Sequence, residues 1–363
     1  MRNKKLDAAK AIAACFVVFI HIGFPDRTGE IIRALARFAV PFFFMISGYF
    51  CYYEGGGAVR KIPRKMKHIA KLALWSVLFY FFWELLMHIL EKQSVYTWLL
   101  GVFQEETLKD FALYNATSAV KMHLWFLPAL IYCYVLVYFI EKLHMRKAAY
   151  CFIVVLLGIC MWRAWICRLF GGFYHTMQYR NYLFTGMPFF LLGEWIRERQ
   201  EKEVACLQEN KAGFRDKRTG RKAVWGMSTG IVWTIFEYCR MGEREIYAGT
   251  VIFTVSLFLW TVSESEFPKD SQKIHSRNLH AFDQSLNFLA DIGKNCGFYI
   301  YLFHLAVADI LKLVMKACSL EKNLFWLWTR PVLVCGLTIT VVSFGPKLFR
   351  QIAKVSLNIF PKI

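Results

Sequence analysis

The stretch Lys5–Pro25, KLDAAKAIAACFVVFIHIGFP, decides the fold class because it joins basic residues to a long apolar run. In an α-helix, which turns about 100° per residue, Lys10 and His21 lie within about 20° of each other, and Asp7 lies about 40° from the same line. Lys10 and His21 are then about 16 Å apart along the helix axis. A polar stripe on a membrane helix faces protein or water and not lipid. We therefore predict that this helix forms one wall of a reaction channel.

The composition favours a membrane protein. Of the 363 residues, 57% are hydrophobic and 20% are charged, which excludes a disordered chain. Apolar runs of about 20 residues recur along the chain and predict membrane-spanning helices. We predict an all-α, polytopic membrane protein with about ten transmembrane helices around a polar channel. The predicted spans are about 8–24, 38–53, 69–90, 123–140, 148–166, 182–196, 224–239, 246–263, 297–316 and 326–346.

The net charge of +19 would suggest a nucleic-acid-binding protein if the chain were soluble. In a membrane protein, an excess of Lys and Arg in the cytoplasmic connections explains it, so we expect no nucleic-acid partner. The connections between predicted spans lie in turn on the two sides of the membrane, and the two sets differ about twofold in Lys and Arg content. The set with more Lys and Arg, which includes both termini, is assigned to the cytoplasm. We predict a single domain over residues 1–363, with a charged cytoplasmic loop at about 197–223.

This topology gives each candidate histidine a predicted depth. His21 ends the first span and His123 opens the fourth, so both are expected near the outer face of the membrane. Lys10 and Asp7 are expected at the cytoplasmic mouth. His304 lies seven or eight residues into the ninth predicted span, and we expect it nearer the cytoplasmic side.

Other residues in the apolar runs are less decisive. Glu84, Glu237 and Arg163 need partners and fit a structural ion pair, a proton path or part of the channel. Gly48 is expected to permit close helix approach, and Ser47 can bond back to its own helix. The 11 cysteines contain no CxxC pair and fit small buried hydrophobic residues, so we predict no metal site.

Four stretches in order resemble the bacterial membrane acyltransferase-3 family, the O-acetyltransferases of cell-surface polysaccharides. They are LDAAKAIAACFVVFIH at 6–21, FAVPFFFMISGYF at 38–50, HLWFLPAL at 123–130 and YIYLFHLAV at 299–307. The segment FFLLGEWI at 189–196 is a further fit, and the order and spacing match over nearly the whole chain. The phrase AVPFFFMISGYF is also similar to the membrane half of vancomycin-resistance-type serine racemases, which has been considered a route for serine.

The resemblance implies an integral-membrane O-acyltransferase of the bacterial cytoplasmic membrane. It would move an acyl group, expected to be acetyl, from cytoplasmic acyl-CoA to a hydroxyl of an extracytoplasmic glycan or lipid-linked sugar. Its expected partners are these two substrates and the membrane lipids, with no metal.

His21 is the first choice for the chemistry, because a histidine can remove the acceptor's hydroxyl proton near neutral pH or carry the acyl group itself. Asp7 and His123 complete the predicted catalytic set. Lys10, where the family usually has arginine, would meet the phosphates of acyl-CoA as a point charge oriented by Asp7. His304 would face the donor, and its alternative role is that of a polar core residue.

The acceptor entrance would be lined by His123, Trp125 and Phe126, with ring faces stacking on a sugar. The structural alternative for the two aromatic residues is the belt found where a span meets the membrane interface. For Lys10, the alternative is a lysine that reaches the headgroups or pairs with Asp7. For His21, it is an interfacial histidine with a satisfied hydrogen bond.

Two other functions stay open at the level of the sequence. A transporter of a small polar solute such as serine would use the same polar interior without a donor, and paired Gly/Pro breaks between halves of the chain would favour it. Pro41, Pro128 and Pro188 lie within or near spans but show no clear pairing. A catalytically inactive membrane scaffold is the third reading, which the lysine at position 10 keeps open.

Overall fold

The protein is built from helices. The computed structural model describes residues 3–53, 57–171, 179–210, 218–263 and 278–359, and these ranges contain helices and no strand. The α-helices are α1 Lys4–His21, α2 Asp26–Ala36, α3 Ala39–Tyr49, α4 Gly57–Leu90, α5 Val95–Val102, α6 Glu105–Tyr114, α7 Phe126–Lys142, α8 Arg146–Leu169, α9 Met187–Asn210, α10 Arg218–Met241, α11 Ala248–Val262, α12 Asn278–Asn295, α13 Gly297–Ala317 and α14 Leu324–Ile359. A 3₁₀ turn at Met122–Trp125 leads into α7, and a π-helical turn at Tyr182–Gly186 leads into α9. The all-α prediction is confirmed.

Several helices have the length and composition of membrane spans. Within the described ranges, five segments qualify, and Ala248–Val262 is apolar but shorter. The five are Asp26–Tyr49, Gly57–Leu90, Met122–Lys142, Gly297–Ala317 and Leu324–Gly345. Helix α1 has 18 residues, but its first two turns carry four charged side chains, those of Lys4, Lys5, Asp7 and Lys10. The protein is therefore a membrane protein, whereas the predicted count of about ten spans is not confirmed.

Helix α4 is longer than the span predicted at 69–90, and the additional residues are basic. It has 34 residues, which corresponds to about 50 Å and exceeds the roughly 30 Å of a hydrocarbon core. Its first part, RKIPRKMKHIAK at 60–71, is basic, and its apolar part follows. The predicted span at 69–90 thus identifies only the apolar two thirds of a longer helix.

The chain divides into two compact units. One comprises Met1–Ala36 with Leu259–Ile363, and the other comprises Arg37–Phe258. The first unit contains α1, α2, α12, α13 and α14. The second contains α3 to α10 and most of α11. The single-domain organisation and the polar channel stay predictions.

Close packing of α1 on α12 organises the first unit. The buried face of α1 is rich in alanine, and Gly293 of α12 lies so close that a Cβ there would come 1.8 Å from the carbonyl oxygen of Asp7. Small residues let two helix backbones approach in this way. The position of Asp7 is therefore set by direct backbone contact with α12.

The start of α1 is also capped. The Asn3 side chain accepts a hydrogen bond from the backbone N–H of Leu6 at 3.0 Å, which satisfies one of the free donors at a helix N-terminus. Its amide nitrogen donates to the carbonyl oxygen of Thr261 at 2.7 Å. These two bonds fix the first turn of α1, where Asp7 and Lys10 begin the polar stripe.

Reciprocal glycine contacts join α3 and α9 in the second unit. A Cβ at Gly48 would come 1.8 Å from the carbonyl oxygen of Phe190, and a Cβ at Gly193 would come 2.0 Å from the carbonyl oxygen of Met45. Ser47 Oγ donates to a carbonyl oxygen of its own helix at 2.9 Å. The structural roles predicted for Gly48 and Ser47 are those that the two residues have.

Candidate functional site

Two histidines meet at the end of α1. The ring centroids of His21 and His304 are 5.3 Å apart, and their planes are inclined by 39°. His304 on α13 is fully buried, whereas His21 is partly exposed. His304 Nδ1 donates to the carbonyl oxygen of Tyr301 at 2.8 Å and lies 3.2 Å from that of Ile300. The first unit thus brings two imidazoles into contact, one of them tied to its own helix.

This contact corrects the depth predicted for His304. We expected His21 near the outer face and His304 nearer the cytoplasmic side, but the two rings lie side by side. We estimated the membrane depth of His304 from its position within the ninth predicted span. His304 lies about 10 Å along α13 from its first residue, Gly297. The ring contact shows that this position is level with His21, the last residue of α1.

The other end of α1 carries the predicted acid and base. Lys10 Nζ and Asp7 Oδ1 form an ion pair at 3.1 Å, with side-chain exposures of 25% and 10%. The pair follows from the i,i+3 spacing on a helix. This bond uses one of the three N–H donors of the Lys10 ammonium. The pairing that the sequence suggested is therefore present, and the contact of Lys10 with a donor stays a prediction.

The predicted acceptor residues lie in the second unit. His123 is 1% exposed, and its ring lies edge-on to that of Tyr80, with centroids 4.8 Å apart. Phe126 is partly exposed and packs edge-on against Phe44, with ring centroids 4.8 Å apart. Trp125 is 5% exposed. The acceptor-binding roles of His123, Trp125 and Phe126 stay predictions.

A small cavity adjoins Trp125. Its volume is about 10 Å³, and its lining includes Tyr114, Thr117 and Arg180. A cavity of this size holds about one water molecule. A sugar ring would therefore reach Trp125 only after the segment before α7 moves.

Sequence reasoning missed a buried ion cluster in the second unit. Arg146, the first residue of α8, donates through Nε and Nη2 to the two oxygens of Glu141 near the end of α7. Its Nε lies 3.9 Å from Oε1 of Glu194 on α9, which is fully buried. Burial lowers the pKa of Arg146, but its hydrogen bond to Glu141 and the charges of Glu141 and Glu194 raise it by more. The net effect is a pKa above the ordinary value of arginine. An acid five residues before an arginine, across a helix–turn–helix junction, is the sequence signal that could have found it.

Two of the other charges noted in the sequence, Glu84 and Glu237, have structural partners. Glu84 forms an ion pair with Lys121. Glu237 accepts a hydrogen bond from the backbone N–H of Gly249, near the start of α11, at 2.9 Å. Arg163 is exposed. In the described part of the chain, no group of three or more His, Cys, Asp or Glu side chains could hold a metal ion.

Comparison with known proteins gives the family and two distant relatives. The acyltransferase domain family model matches residues 3–345. A serine/alanine racemase of Enterococcus gallinarum is 32% identical over 142 residues, covering 36% of this chain and 18% of that protein. An amino-acid racemase of Enterococcus faecalis is 27% identical over 220 residues, covering 53% of this chain and 28% of that protein.

The chain spans less than a third of the length of either of these relatives in the matched region. No solved structure matches the chain significantly. The family model, by contrast, covers nearly all of the sequence and includes α1, α13 and both histidines of the contact. This protein therefore belongs to the acyltransferase-3 family of membrane acyltransferases.

Proposed function

We propose that this protein transfers an acetyl group from cytoplasmic acetyl-CoA to a hydroxyl of an extracytoplasmic glycan or lipid-linked sugar. The observation that carries the proposal is the contact between His21 and His304 at the end of the helix whose start holds Lys10 and Asp7. Membership of an acyltransferase family supports the reaction class. The protein would lie in the bacterial cytoplasmic membrane with both termini in the cytoplasm.

His21 performs the proton transfer in this proposal. Its neutral imidazole takes the proton of the acceptor hydroxyl while the oxygen attacks the thioester carbon. The new C–O bond forms, the C–S bond breaks, and the imidazolium returns its proton to the leaving thiolate. In the two-step form of the reaction, a nitrogen of His21 attacks first and carries the acyl group to the hydroxyl. Both forms yield one ester and free CoA.

Lys10 and Asp7 would serve the donor. The ammonium of Lys10 attracts the phosphates of acyl-CoA, and Asp7 holds it in place through the 3.1 Å ion pair. Lys10 and His21 are about 16 Å apart along α1, a distance that the extended pantetheine arm of acyl-CoA can span. One helix then binds the charged end of the donor and presents a base to its reactive end.

The acceptor side of the proposal includes His123, Trp125 and Phe126. Trp125 offers an indole face beside a small cavity with hydroxyl groups and Arg180, which suits a sugar. All three residues lie at or next to the 3₁₀ turn Met122–Trp125. Because His123 and Trp125 are buried, the acceptor binds by displacing part of this segment.

The test is acyl transfer by the purified protein in liposomes. Labelled acetyl-CoA is supplied to the cytoplasmic face, with and without a glycan acceptor. His21→Ala should lower the transfer rate by about 10²- to 10⁴-fold, as expected for loss of a general base, with little change in thermal stability.

The matched control is His144→Asn. His144 is exposed and adopts a positive φ of 56°, a conformation that asparagine tolerates. This variant should transfer at the wild-type rate. Equal rates for His21→Ala and wild type would remove His21 from the mechanism.

A second candidate function rests on the partial similarity of this chain to the two relatives, whose names give amino acids as substrates and no transport activity. Both are amino-acid racemases by name, and each matches only part of this chain. The second candidate is a transporter of a small polar solute such as serine. Uptake of labelled serine into liposomes without any CoA requirement would establish it. Absence of both transfer and uptake in folded protein would point to an inactive scaffold.

A further inference from the structure

A groove between α8 and α9 in the second unit contains none of the residues to which the proposed transfer assigns a role. Its volume is about 740 Å³, which falls in the range of sites that bind small molecules. Three cations and two acids line it, which leaves one net positive charge. They are Lys147, Arg199, Lys202, Glu198 and Glu203.

Bonds within the groove occupy one acid and one cation. Tyr150 on α8 donates its hydroxyl to Oε2 of Glu198 on α9 at 2.7 Å, and Lys202 Nζ donates to Oε1 of the same carboxylate. Glu198 therefore has a donor on each of its oxygens, and the bond from Tyr150 joins the two helices at the groove.

Lys147 and Arg199 carry the positive charge that these bonds leave over. Both side chains are exposed, and among the residues described neither takes part in an ion pair. Arg199 lies over the indole of Trp195, with Cζ 5.0 Å from the ring centroid. A contact with the ring face orients the guanidinium without using its N–H donors, so these donors can bind an anion.

Past its charged start, α8 presents an exposed apolar surface. Val154 comes seven residues after Lys147, so the two lie on the same helix face, about 10 Å apart along the axis. Its side chain is 74% exposed, and the neighbouring Phe152 and Val155 are exposed as well. The exposed indole of Trp195 lines the groove on the α9 side, and such a ring is typical of the membrane interface. The cations are thus continuous with an apolar strip.

We propose that this groove binds an anionic phospholipid of the cytoplasmic leaflet, with its phosphate paired to Lys147 and Arg199 and an acyl chain along Val154. The groove includes the start of the charged segment 197–223, which we expect on the cytoplasmic side. The surface of that leaflet is negative, and basic pockets between membrane helices on this side bind anionic headgroups. This inference goes beyond the proposed acyl transfer and does not depend on it.

The apolar strip favours a lipid over a soluble phosphate compound. A nucleotide or a free phosphate would pair with Lys147 and Arg199 but would leave Val154 without a partner. A phospholipid satisfies both parts of the surface, because its headgroup carries the negative charge and its chain buries apolar area.

The test is the binding of phosphatidylglycerol to the purified full-length protein in detergent, measured by native mass spectrometry and compared with phosphatidylcholine. Wild type should bind phosphatidylglycerol about tenfold more tightly than the zwitterionic lipid. The double variant Lys147→Gln/Arg199→Gln should lower the affinity for phosphatidylglycerol about 10- to 30-fold, as expected for two lost charge contacts. Its affinity for phosphatidylcholine should stay within about twofold of wild type.

The matched control is Arg64→Gln/Lys67→Gln, which removes one arginine and one lysine from the exposed basic part of α4. It should bind phosphatidylglycerol as wild type does. Because all four side chains are exposed, both double variants should unfold at the wild-type temperature in lipid-free detergent. Equal losses of affinity in the two variants would reveal a diffuse effect of surface charge and overturn the proposal. Undiminished binding by the groove variant would also overturn it.

Competition with coenzyme A identifies the source of the phosphate. Coenzyme A carries phosphates without lipid chains, so an excess of it should leave the bound phosphatidylglycerol in place. Displacement would assign the groove to a soluble phosphate ligand and overturn the lipid proposal. The measurement reads bound lipid and not turnover. A protein that binds the lipid in this way but transfers acetyl to no acceptor would refute the proposed reaction alone.

Discussion

Each compact unit contains a polar side-chain cluster, and the two clusters compared here are built differently. The cluster of the first unit is a pair of imidazoles, those of His21 and His304. The two rings are in contact and do not form an ion pair. The cluster of the second unit is ionic, with Arg146 bonded to Glu141 and close to Glu194. Arg146 also lies over the ring of Tyr52 at 4.7 Å, so it joins α7, α8, α9 and the segment after α3.

The two clusters suit different roles, one structural and one proposed to be catalytic. Removing one partner of a buried ion cluster leaves charge without compensation, so such a cluster holds helices in one arrangement. Neutral imidazoles cost less to bury than charged groups, and histidine is the side chain that most often serves as a base near neutral pH. Burial of polar groups alone does not identify a site. We propose that the ion cluster is structural and that the histidine pair takes part in the reaction.

The largest expected effect on stability tests the structural half of this comparison. Arg146→Leu should lower the free energy of unfolding by about 3–5 kcal/mol, because Glu141 and Glu194 lose their shared guanidinium. The transfer rate per folded molecule should stay near that of wild type. Thermal unfolding in detergent, combined with the liposome assay, measures both quantities.

Lys147→Leu is the control, since Lys147 is the exposed next residue of α8 and should change stability by no more than about 0.5 kcal/mol. If Arg146→Leu stayed as stable as wild type but lost transfer as His21→Ala does, the distinction between the two clusters would fail.

An intermediate effect is expected from the packing that supports the first cluster. Gly293→Ala places a Cβ 1.8 Å from the carbonyl oxygen of Asp7 and forces α1 away from α12. We expect a loss of about 1–3 kcal/mol in the free energy of unfolding. Since α1 carries Lys10 and His21, kcat/KM should also fall, by about tenfold.

Gly297→Ala is its control, because a Cβ at Gly297 would meet nothing within 4 Å. This variant should unfold at the wild-type temperature or slightly above it. Unchanged stability in Gly293→Ala would show that α1 and α12 are less closely packed than described.

The smallest expected effect concerns the charged end of α1. Lys10→Ala should raise the KM for acetyl-CoA about fivefold, equivalent to about 1 kcal/mol for one partly exposed charge contact. Lys10→Arg should keep or improve the affinity, because a guanidinium can bind a phosphate through two hydrogen bonds. Steady-state kinetics at varied acetyl-CoA measures both.

Lys4→Ala is the comparison variant, since Lys4 is an exposed lysine on the same helix. It should leave KM unchanged. No change of KM in either Lys10 variant would make Lys10 an interfacial anchor.

Local features of the fold were predictable from the sequence. The helical period of 3.6 residues put Asp7, Lys10 and His21 on one helix, and the structure has a single continuous α1 over these residues with Asp7 and Lys10 paired. Gly48 and Ser47 were also interpreted correctly, because their roles depend on small size and on bonds within a helix. The number of spans was less predictable, since helices such as α2 and α3 are short and follow each other closely.

Long-range contacts were not predictable in this way. Periodicity gives a residue its face on a helix but not the helix that it meets, so the contact of His21 with His304 was missed. Arg146 lies in the connection between α7 and α8, and the Lys and Arg content of a connection does not indicate a bond such as that between Arg146 and Glu141. The sequence allowed Glu84 to form a structural ion pair, a proton path or part of the channel. Its ion pair with Lys121 supports the structural role.

The reciprocal glycines of α3 and α9 bear on how the chain is made. Gly48 and Gly193 are about 145 residues apart, so a ribosome adding about 5–20 residues per second needs roughly 7–30 s to deliver the second helix after the first. During that interval the nascent α3 exposes the bare backbone patch that α9 will cover. Premature termination between these two positions would yield a fragment lacking its own partner helix, a ready substrate for quality-control proteases.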